Sequence, residues 1–150
     1  AAFIAAARTE RPIETTGDLV DVICRAVPKS VRRAAVGHPA KRVFQAVRIE
    51  VNDELGILGD SLRAAVKALA PGGRIAVITF HSLEDRIAKT TLRELARGCI
   101  CPPGLPVCVC GHEPELRLLG RAHKPEAAEV EVNPRARSAK LRAAEKLPRT

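Results

Sequence analysis

The side chains best suited to acid–base chemistry lie together in residues 80–86, Phe-His-Ser-Leu-Glu-Asp-Arg. Imidazole and carboxylate groups are the ones that proteins most often use to move protons. The candidate catalytic residues are therefore His81, Ser82, Glu84 and Asp85. An ordinary turn between a strand and a helix, without any chemistry, explains the same stretch equally well.

The elements around this stretch favour a site. Residues 75–80 are an apolar run without polar alternation, which predicts a strand covered on both faces, and the polar residues begin where it ends. Ligands bind beyond the carboxyl ends of strands in open α/β sheets. Ser82, with Asp85 three residues later, predicts the start of a helix that continues to Leu95.

A second candidate site is the Pro/Gly-rich segment 98–111, which carries two Cys-x-Cys pairs. Cys99, Cys101, Cys108 and Cys110 can surround a tetrahedral zinc ion. Their spacing departs from the usual Cys-x₂₋₄-Cys pairs of zinc sites, so free or redox-labile thiols are the first interpretation and a structural zinc is the alternative. Catalysis by these cysteines is the least favoured interpretation.

Long polar side chains recur at helical spacing ahead of a predicted helix bend, at Lys41, Arg42, Gln45, Arg48 and Asn52. A solvated helix face is the simplest interpretation of such a charge run. The amides among the arginines favour nucleic-acid recognition instead, so we treat these residues as candidate RNA contacts.

A second basic segment, residues 133–142, alternates well enough to predict an edge strand. Its candidate RNA contacts are Arg135, Arg137, Lys140 and Arg142. The alternative is an edge that carries charge only to prevent strand addition.

Two further patterns concern helices. Apolar residues spaced three or four apart over residues 44–69 predict one long amphipathic helix or two placed end to end, with Asn52 or Asp53 capping the second. Pro28 should end an earlier helix and lead into a basic loop.

Composition sets broad limits. The 150 residues suit one compact domain, and the net charge of +8 favours a polyanionic partner. With three Phe and no Trp or Tyr, RNA contacts would be to phosphates and base edges rather than by stacking. No apolar run reaches bilayer length and the first residues lack the order of a secretory signal, so we expect a cytoplasmic protein with reduced thiols and no membrane partner.

Three segments, residues 38–55, 80–86 and 133–142, closely resemble the ribosomal RNA small-subunit methyltransferase H family, also called MraW. The cysteine segment is similar to that of a cysteine-containing branch of the family. Because other members lack those thiols, the resemblance implies that they are not essential to the reaction.

The resemblance implies an α/β fold with a partial Rossmann-like methyltransferase sheet and a helical insertion. Residues 1–70 would be the helical, RNA-recognising insertion, and residues 71–150 the closing part of the sheet, whose last two strands pair antiparallel at 115–120 and 137–145. The implied reaction transfers a methyl group from S-adenosylmethionine to the N4 amine of a cytidine in small-subunit ribosomal RNA.

The resemblance also implies roles for single residues. His81 would be a hydrogen-bonding partner or proton acceptor for the cytidine amine, whereas Glu84 and Asp85 would rather pair with Arg86 or cap a helix. Arg42, with its polar neighbours on the same helix face, would hold phosphates or a flipped base.

Only the later half of the family's enzyme is covered, so no cofactor-binding residue is assigned to this chain and we expect it to be inactive alone. The alternative is a non-catalytic module that binds ribosomal RNA and is stapled by zinc at its cysteines. In either case strand 74–80 would expose an edge through which the chain could associate with itself.

Overall fold

The computed structural model describes residues 1–34, 37–103, 105 and 107–148, so that Gly104 and Pro106 of the cysteine segment lie outside the described residues. The chain forms two compact units, Ala1–Asp53 and Glu54–Thr150. The first unit is helical, and the second combines helices with a small sheet. No helix in the described part of the chain has the length and apolar character that crossing a bilayer requires.

The helices of the first unit are short. They are α1 (Ala2–Glu10), α2 (Thr16–Ala26), α3 (Lys29–Ala34) and α4 (Lys41–Val51). α2 begins with a capping box, in which Thr15 Oγ1 accepts from the Asp18 amide and the Asp18 carboxylate accepts from the Thr15 amide. The predicted basic loop after Pro28 is wrong, because this proline starts α3 and its carbonyl accepts from Arg32 N–H at 3.0 Å.

The long apolar repeat forms two helices, α4 and α5 (Gly56–Ala68), as one of the predicted alternatives requires. Asp53 separates them with a left-handed backbone (φ 49°). The predicted capping of α5 by Asn52 or Asp53 is wrong, since its N-cap is Leu55 and no side chain caps it. α5 packs against the helix that follows the first strand, and therefore belongs to the second unit. The boundary of the proposed insertion at residue 70 stays a prediction.

The sheet has three strands, β1 (Arg74–Thr79), β2 (Leu116–Leu118) and β3 (Lys140–Lys146), in the order β1-β3-β2. Both pairs are antiparallel, which confirms the predicted pairing of the last two strands. The expected basic edge strand is wrong in two respects. Pro134–Ser138 form a 3₁₀ helix, because Pro134 lacks the N–H that a ladder needs, and the strand that follows is the central one.

One face of this sheet is covered by α6 (Ser82–Leu95), which also packs on α5. A further short helix, α7 (Ala127–Val132), precedes the 3₁₀ helix. The core between sheet and helices is aliphatic. Its buried members are Val66, Leu92, Leu95, Leu116 and Ala144.

The expectation that β1 is covered on both faces is wrong. Ile78 and Phe80 are 59% and 53% exposed, because the helices pack on the opposite face of the strand. The edge of β1 away from β3 has no strand partner among the described residues. Self-association through this edge stays a prediction. The structure thus shows a mixed α/β chain, and completion into a Rossmann-like sheet stays a proposal.

A buried ion cluster joins α6 to the central strand. Asp85, in the first turn of α6, accepts from Lys140 Nζ and from Arg142 Nε, both at 2.8 Å. Lys140 and Arg142 are two residues apart on β3, so both side chains lie on the same face of the sheet. The hydrogen bond from Arg142, assisted by that from Lys140 and opposed by burial, lowers the pKa of Asp85 from 3.8 to about 2.

We predict that Asp85→Asn destabilises the protein by about 2 kcal/mol at pH 7. The pKa of Asp85 is lowered because the folded protein favours the charged carboxylate over the neutral acid, and the size of the shift corresponds to about this free energy of unfolding. A carboxyl group with a depressed folded pKa stabilises the fold above its ordinary pKa, and this contribution is lost as the pH falls toward 2. Urea unfolding at pH 7, 5 and 3 should therefore show a difference from wild type that shrinks toward acid.

The matched control is Asp60→Asn, which removes the same charge from an exposed position on α5. We expect its unfolding free energy to stay within about 0.5 kcal/mol of wild type at each pH. Equal stabilities of the two variants at pH 7 would contradict a structural role for the Asp85 cluster.

Candidate functional site

His81 lies between the end of β1 and the start of α6, where its backbone is extended (φ −140°, ψ 165°). It is the N-cap of α6, and its Nδ1 accepts from the Glu84 amide at 3.3 Å. The predicted cap at Ser82 with Asp85 is therefore shifted by one residue. Ser82 is the first residue inside the helix and its side chain is exposed, while Asp85 belongs to the ion cluster with β3.

Glu84 completes the cap from the other side. Its Oε2 accepts from the backbone N–H groups of Phe80 and His81, at 2.9 and 3.1 Å. This reciprocal arrangement satisfies amides that would otherwise lack partners at the start of α6. It also fixes the imidazole and the carboxylate relative to each other. Of the two structural roles expected for Glu84, pairing with Arg86 or capping the helix, the structure shows the cap.

The cap determines what His81 can do chemically. Because Nδ1 accepts from an amide, the proton of the neutral ring is assigned to Nε2. Nε2 is buried and lies 3.1 Å from Glu84 Oε1, but the angle between the groups does not give a hydrogen bond. His81 therefore presents a donor at Nε2, and accepting a proton at Nδ1 would break the cap. A donor at Nε2 does not accept from an amine N–H, so both predicted roles of His81 toward the cytidine amine stay predictions.

A third titratable residue joins the pair. One ligand atom each of Glu54, His81 and Glu84 lie within 4.8 Å of one another, and all three side chains are half-buried. The cluster offers an imidazole donor beside two carboxylates, which suits a group that carries N–H bonds. Glu54 was not predicted from the sequence. Its position in the short connection between α4 and α5 is the sequence feature that could have drawn attention to it.

The predicted RNA contacts differ in their surroundings. On α4, Lys41, Arg42 and Arg48 are exposed, as is Asn52 just after the helix, and Gln45 is half-buried. Arg135 and Arg137 are exposed on the 3₁₀ helix. Lys140 and Arg142 are held by Asp85, which lowers the charge that they offer to RNA.

A basic hollow in the second unit was not predicted. It has a volume of about 300 Å³, and four cations and no acidic side chain are among its lining residues. These cations are Lys89, Arg93, Arg121 and Arg142. Lys89 and Arg93 are four residues apart on α6 and so share a helix face, whereas Arg121 comes from the segment after β2. Only the tertiary fold brings these elements together, which is why sequence spacing did not reveal the hollow.

A groove of about 990 Å³ lies in the helical unit, away from His81 in the sequence. It is lined by both signs of charge, and Arg11 is paired with Asp18 at its rim. Size alone does not identify a site, so we assign no function to this groove.

The four predicted thiols do come together. The Sγ atom of Cys108 lies 3.5 Å from that of Cys99 and 3.5 Å from that of Cys110. The Sγ atoms of Cys99 and Cys110 lie 3.9 Å apart. The backbone N–H of Ile100 is the main cause that lowers the pKa of Cys110 to about 6. In Cys99, the backbone hydrogen bond with Cys101 lowers the pKa of the thiol. The contacts of Cys99 with the other thiols, above all with Cys108, outweigh this effect and raise the pKa to about 11.

The junction of β1 and α6 can be compared with what a site for S-adenosylmethionine, the cofactor that the resemblance implies, would need. The strand-to-helix connection between β1 and α6 has no glycine, although dinucleotide-type sites need glycines for close backbone approach. Of the amides in the first turn of α6, that of Glu84 is already bonded to His81 Nδ1. We assign no contact with this cofactor to the described part of the chain.

Comparison with known proteins identifies the family. Residues 1–147 match the MraW methylase family. The ribosomal RNA small subunit methyltransferase H of Heliobacterium modesticaldum is 57% identical over 150 residues, covering 98% of this chain and 47% of that protein. The enzyme of the same name from Symbiobacterium thermophilum is 58% identical over 148 residues, covering 98% of this chain and 46% of that protein. That from Clostridioides difficile is 55% identical over 149 residues, covering 98% of this chain and 47% of that protein. The chain spans about half the length of these relatives, and it belongs to the MraW methylase family.

Proposed function

We propose that this chain is part of an S-adenosylmethionine-dependent methyltransferase that methylates the N4 amine of a cytidine in small-subunit ribosomal RNA. The family match over residues 1–147 supports methyl transfer, and the names of the relatives support ribosomal RNA as substrate. The observation that carries the proposal into this chain is the cluster of His81 with two carboxylates at the end of β1.

The chemistry of the substrate explains why this cluster is suitable. The amine of cytosine is a weak nucleophile because its lone pair is delocalised into the ring, so it must be oriented and must lose a proton. The carboxylates of Glu54 and Glu84 can accept hydrogen bonds from the amine and take up that proton. His81 Nε2–H can donate to an acceptor on the same base, which fixes the orientation of the ring. Asp85 takes no part, because it is committed to β3.

Two substitutions at His81 separate its role as helix cap from its proposed role in the chemistry. Both His81→Ala and His81→Asn remove Nε2, and asparagine is a good N-cap whereas alanine is not. We expect both variants of the complete protein to methylate ribosomal RNA roughly a hundredfold more slowly. Only His81→Ala should also lose about 1 kcal/mol of stability. Mass spectrometry of N4-methylcytidine in a strain deleted for the gene, complemented by each variant, measures the activity.

The control is His123→Ala, which changes an exposed histidine whose bonds to Leu141 are made by the backbone alone. If His81→Asn methylates ribosomal RNA at the wild-type rate, His81 has no role in the reaction. Unchanged N4-methylcytidine after gene deletion would overturn the proposed function itself and would favour the non-catalytic RNA-binding module.

We also propose that the basic hollow holds a backbone phosphate of the RNA. Arg93 and Arg121 converge there without an acidic neighbour, unlike Arg142, which Asp85 neutralises. The exposed Arg42, Arg135 and Arg137 are further proposed contacts. All of these contacts are electrostatic, in keeping with the net charge of +8.

The corresponding prediction concerns the salt dependence of binding to small-subunit ribosomal RNA. Arg93→Ala/Arg121→Ala should lower the slope of log K against log salt by about 0.8, because the loss of one phosphate contact removes about 0.7 to 0.9. Arg63→Ala/Lys67→Ala removes the same charge from α5 and serves as the control. If fluorescence anisotropy titrations give both double variants the same slope, the hollow does not contact phosphate.

Finally, we propose that the methyl donor is held outside the described residues and that the chain alone is inactive. Calorimetric titration of the 150-residue chain with S-adenosylmethionine should give no saturable heat. Equimolar, saturable binding would contradict this proposal without affecting the assignment of the RNA substrate.

A further inference from the structure

We propose that Cys99, Cys101, Cys108 and Cys110 form a tetrahedral site for one zinc ion. The inference concerns the stability of the cysteine segment and is independent of the proposed methyl transfer. It rests on four thiols that lie close together in a segment whose described residues form neither a helix nor a strand.

The distances between the sulfurs match such a site. A zinc ion bonded to four thiolates at about 2.3 Å holds its sulfurs at the corners of a tetrahedron with edges of about 3.8 Å. The measured separations are 3.5 Å for two of the pairs and 3.9 Å for two others, and all four sulfurs lie within 4.8 Å of one another. The space between them accommodates a single ion.

Local backbone geometry explains why Cys-x-Cys pairs can supply these ligands. In an extended chain, residues two apart point to the same side and the residue between them points to the other. Ile100 and Val109, the middle residues of the two pairs, are 54% and 76% exposed, which agrees with this alternation. The short spacing that disfavoured zinc in the sequence therefore does not prevent the four thiols from converging.

Hydrophobic burial contributes little to the stability of the described residues of the segment. Its apolar side chains are exposed, including Val107 at 69%, so no hydrophobic core holds it together. Hydrogen bonds hold the chain near both ends of the segment: Glu115 N–H donates to Leu95 O at 2.8 Å, and Arg97 Nε donates to Cys99 O at 2.7 Å. A metal ion supplies the missing cross-link, as it does in small domains whose cores are insufficient.

A pair of disulfides accounts less well for the arrangement. A disulfide needs one exclusive partner for each sulfur. Cys108 is equally close to Cys99 and Cys110, at 3.5 Å, and lies 3.9 Å from Cys101. Such a shared environment is what a common central ion produces, and tetrahedral sites of four sulfurs suit zinc.

The test measures metal in protein purified without chelator. We expect equimolar zinc by plasma mass spectrometry, and after removal of the zinc we expect cobalt(II) to bind with the visible absorption of a tetrahedral thiolate site. Cys110→Ser should reduce the zinc to background, whereas Cys110→His, which supplies another good ligand, should retain it. Cys24→Ser is the matched control, because Cys24 is a free cysteine of the helical unit and should not affect zinc content.

Circular dichroism shows whether the variants fold, and wild-type metal content decides the question even where one does not. Less than a tenth of an equivalent of zinc, bound iron in its place, or zinc retained at full occupancy by Cys110→Ser would each overturn the proposal. A wild-type mass lower by two hydrogens for each disulfide, together with failure of the reduced protein to take up zinc, would assign the cluster to disulfides instead.

Discussion

The contact between Asp85 and the two cations of β3 is the constraint on which the site depends. It ties the first turn of α6 to the central strand of the sheet, so the start of the helix cannot move independently of β1 and β3. Taking a carboxylate out of water is costly, and the cost is offset because each of its oxygens accepts from a separate cation. Thr79, at the end of β1, adds a hydrogen bond to Lys140 O at 3.4 Å.

This anchoring gives the cap of α6 its importance. One nitrogen of His81 and one oxygen of Glu84 are used to satisfy backbone groups, which leaves Nε2 and Oε1 side by side. The two atoms are therefore held in place by the fold before any substrate binds. Polar groups that are positioned in advance do not have to reorganise during a reaction, which is how proteins make them effective. The same residues thus serve the helix and the proposed chemistry.

The sequence predicted those features that depend on local patterns. The turn at Pro71, the apolar run of β1 and the periodicity of α6 were sufficient to place His81 at a strand-to-helix junction. Features that depend on distant partners could not be predicted in this way. Asp85 is 55 residues from Lys140, and nothing local indicates that Glu54 meets His81. The helix cap was misplaced because serine is the commoner cap, whereas here the extended backbone at the preceding residue decides.

The two ends of α6 lie next to different candidate sites. The helix has 14 residues and is therefore about 21 Å long, with the His81 cluster at its start and the cysteine segment following its end. The segment is anchored at its base by Glu115, which bonds Leu95 O and Leu147 N–H and also pairs with Lys146 at 3.1 Å. A cross-link among the cysteines would therefore order a connection between α6 and β2 without reaching the proposed chemistry. Such a separation makes the proposed zinc a structural rather than a catalytic ion, in keeping with the resemblance, which implies that the thiols are not essential to the reaction.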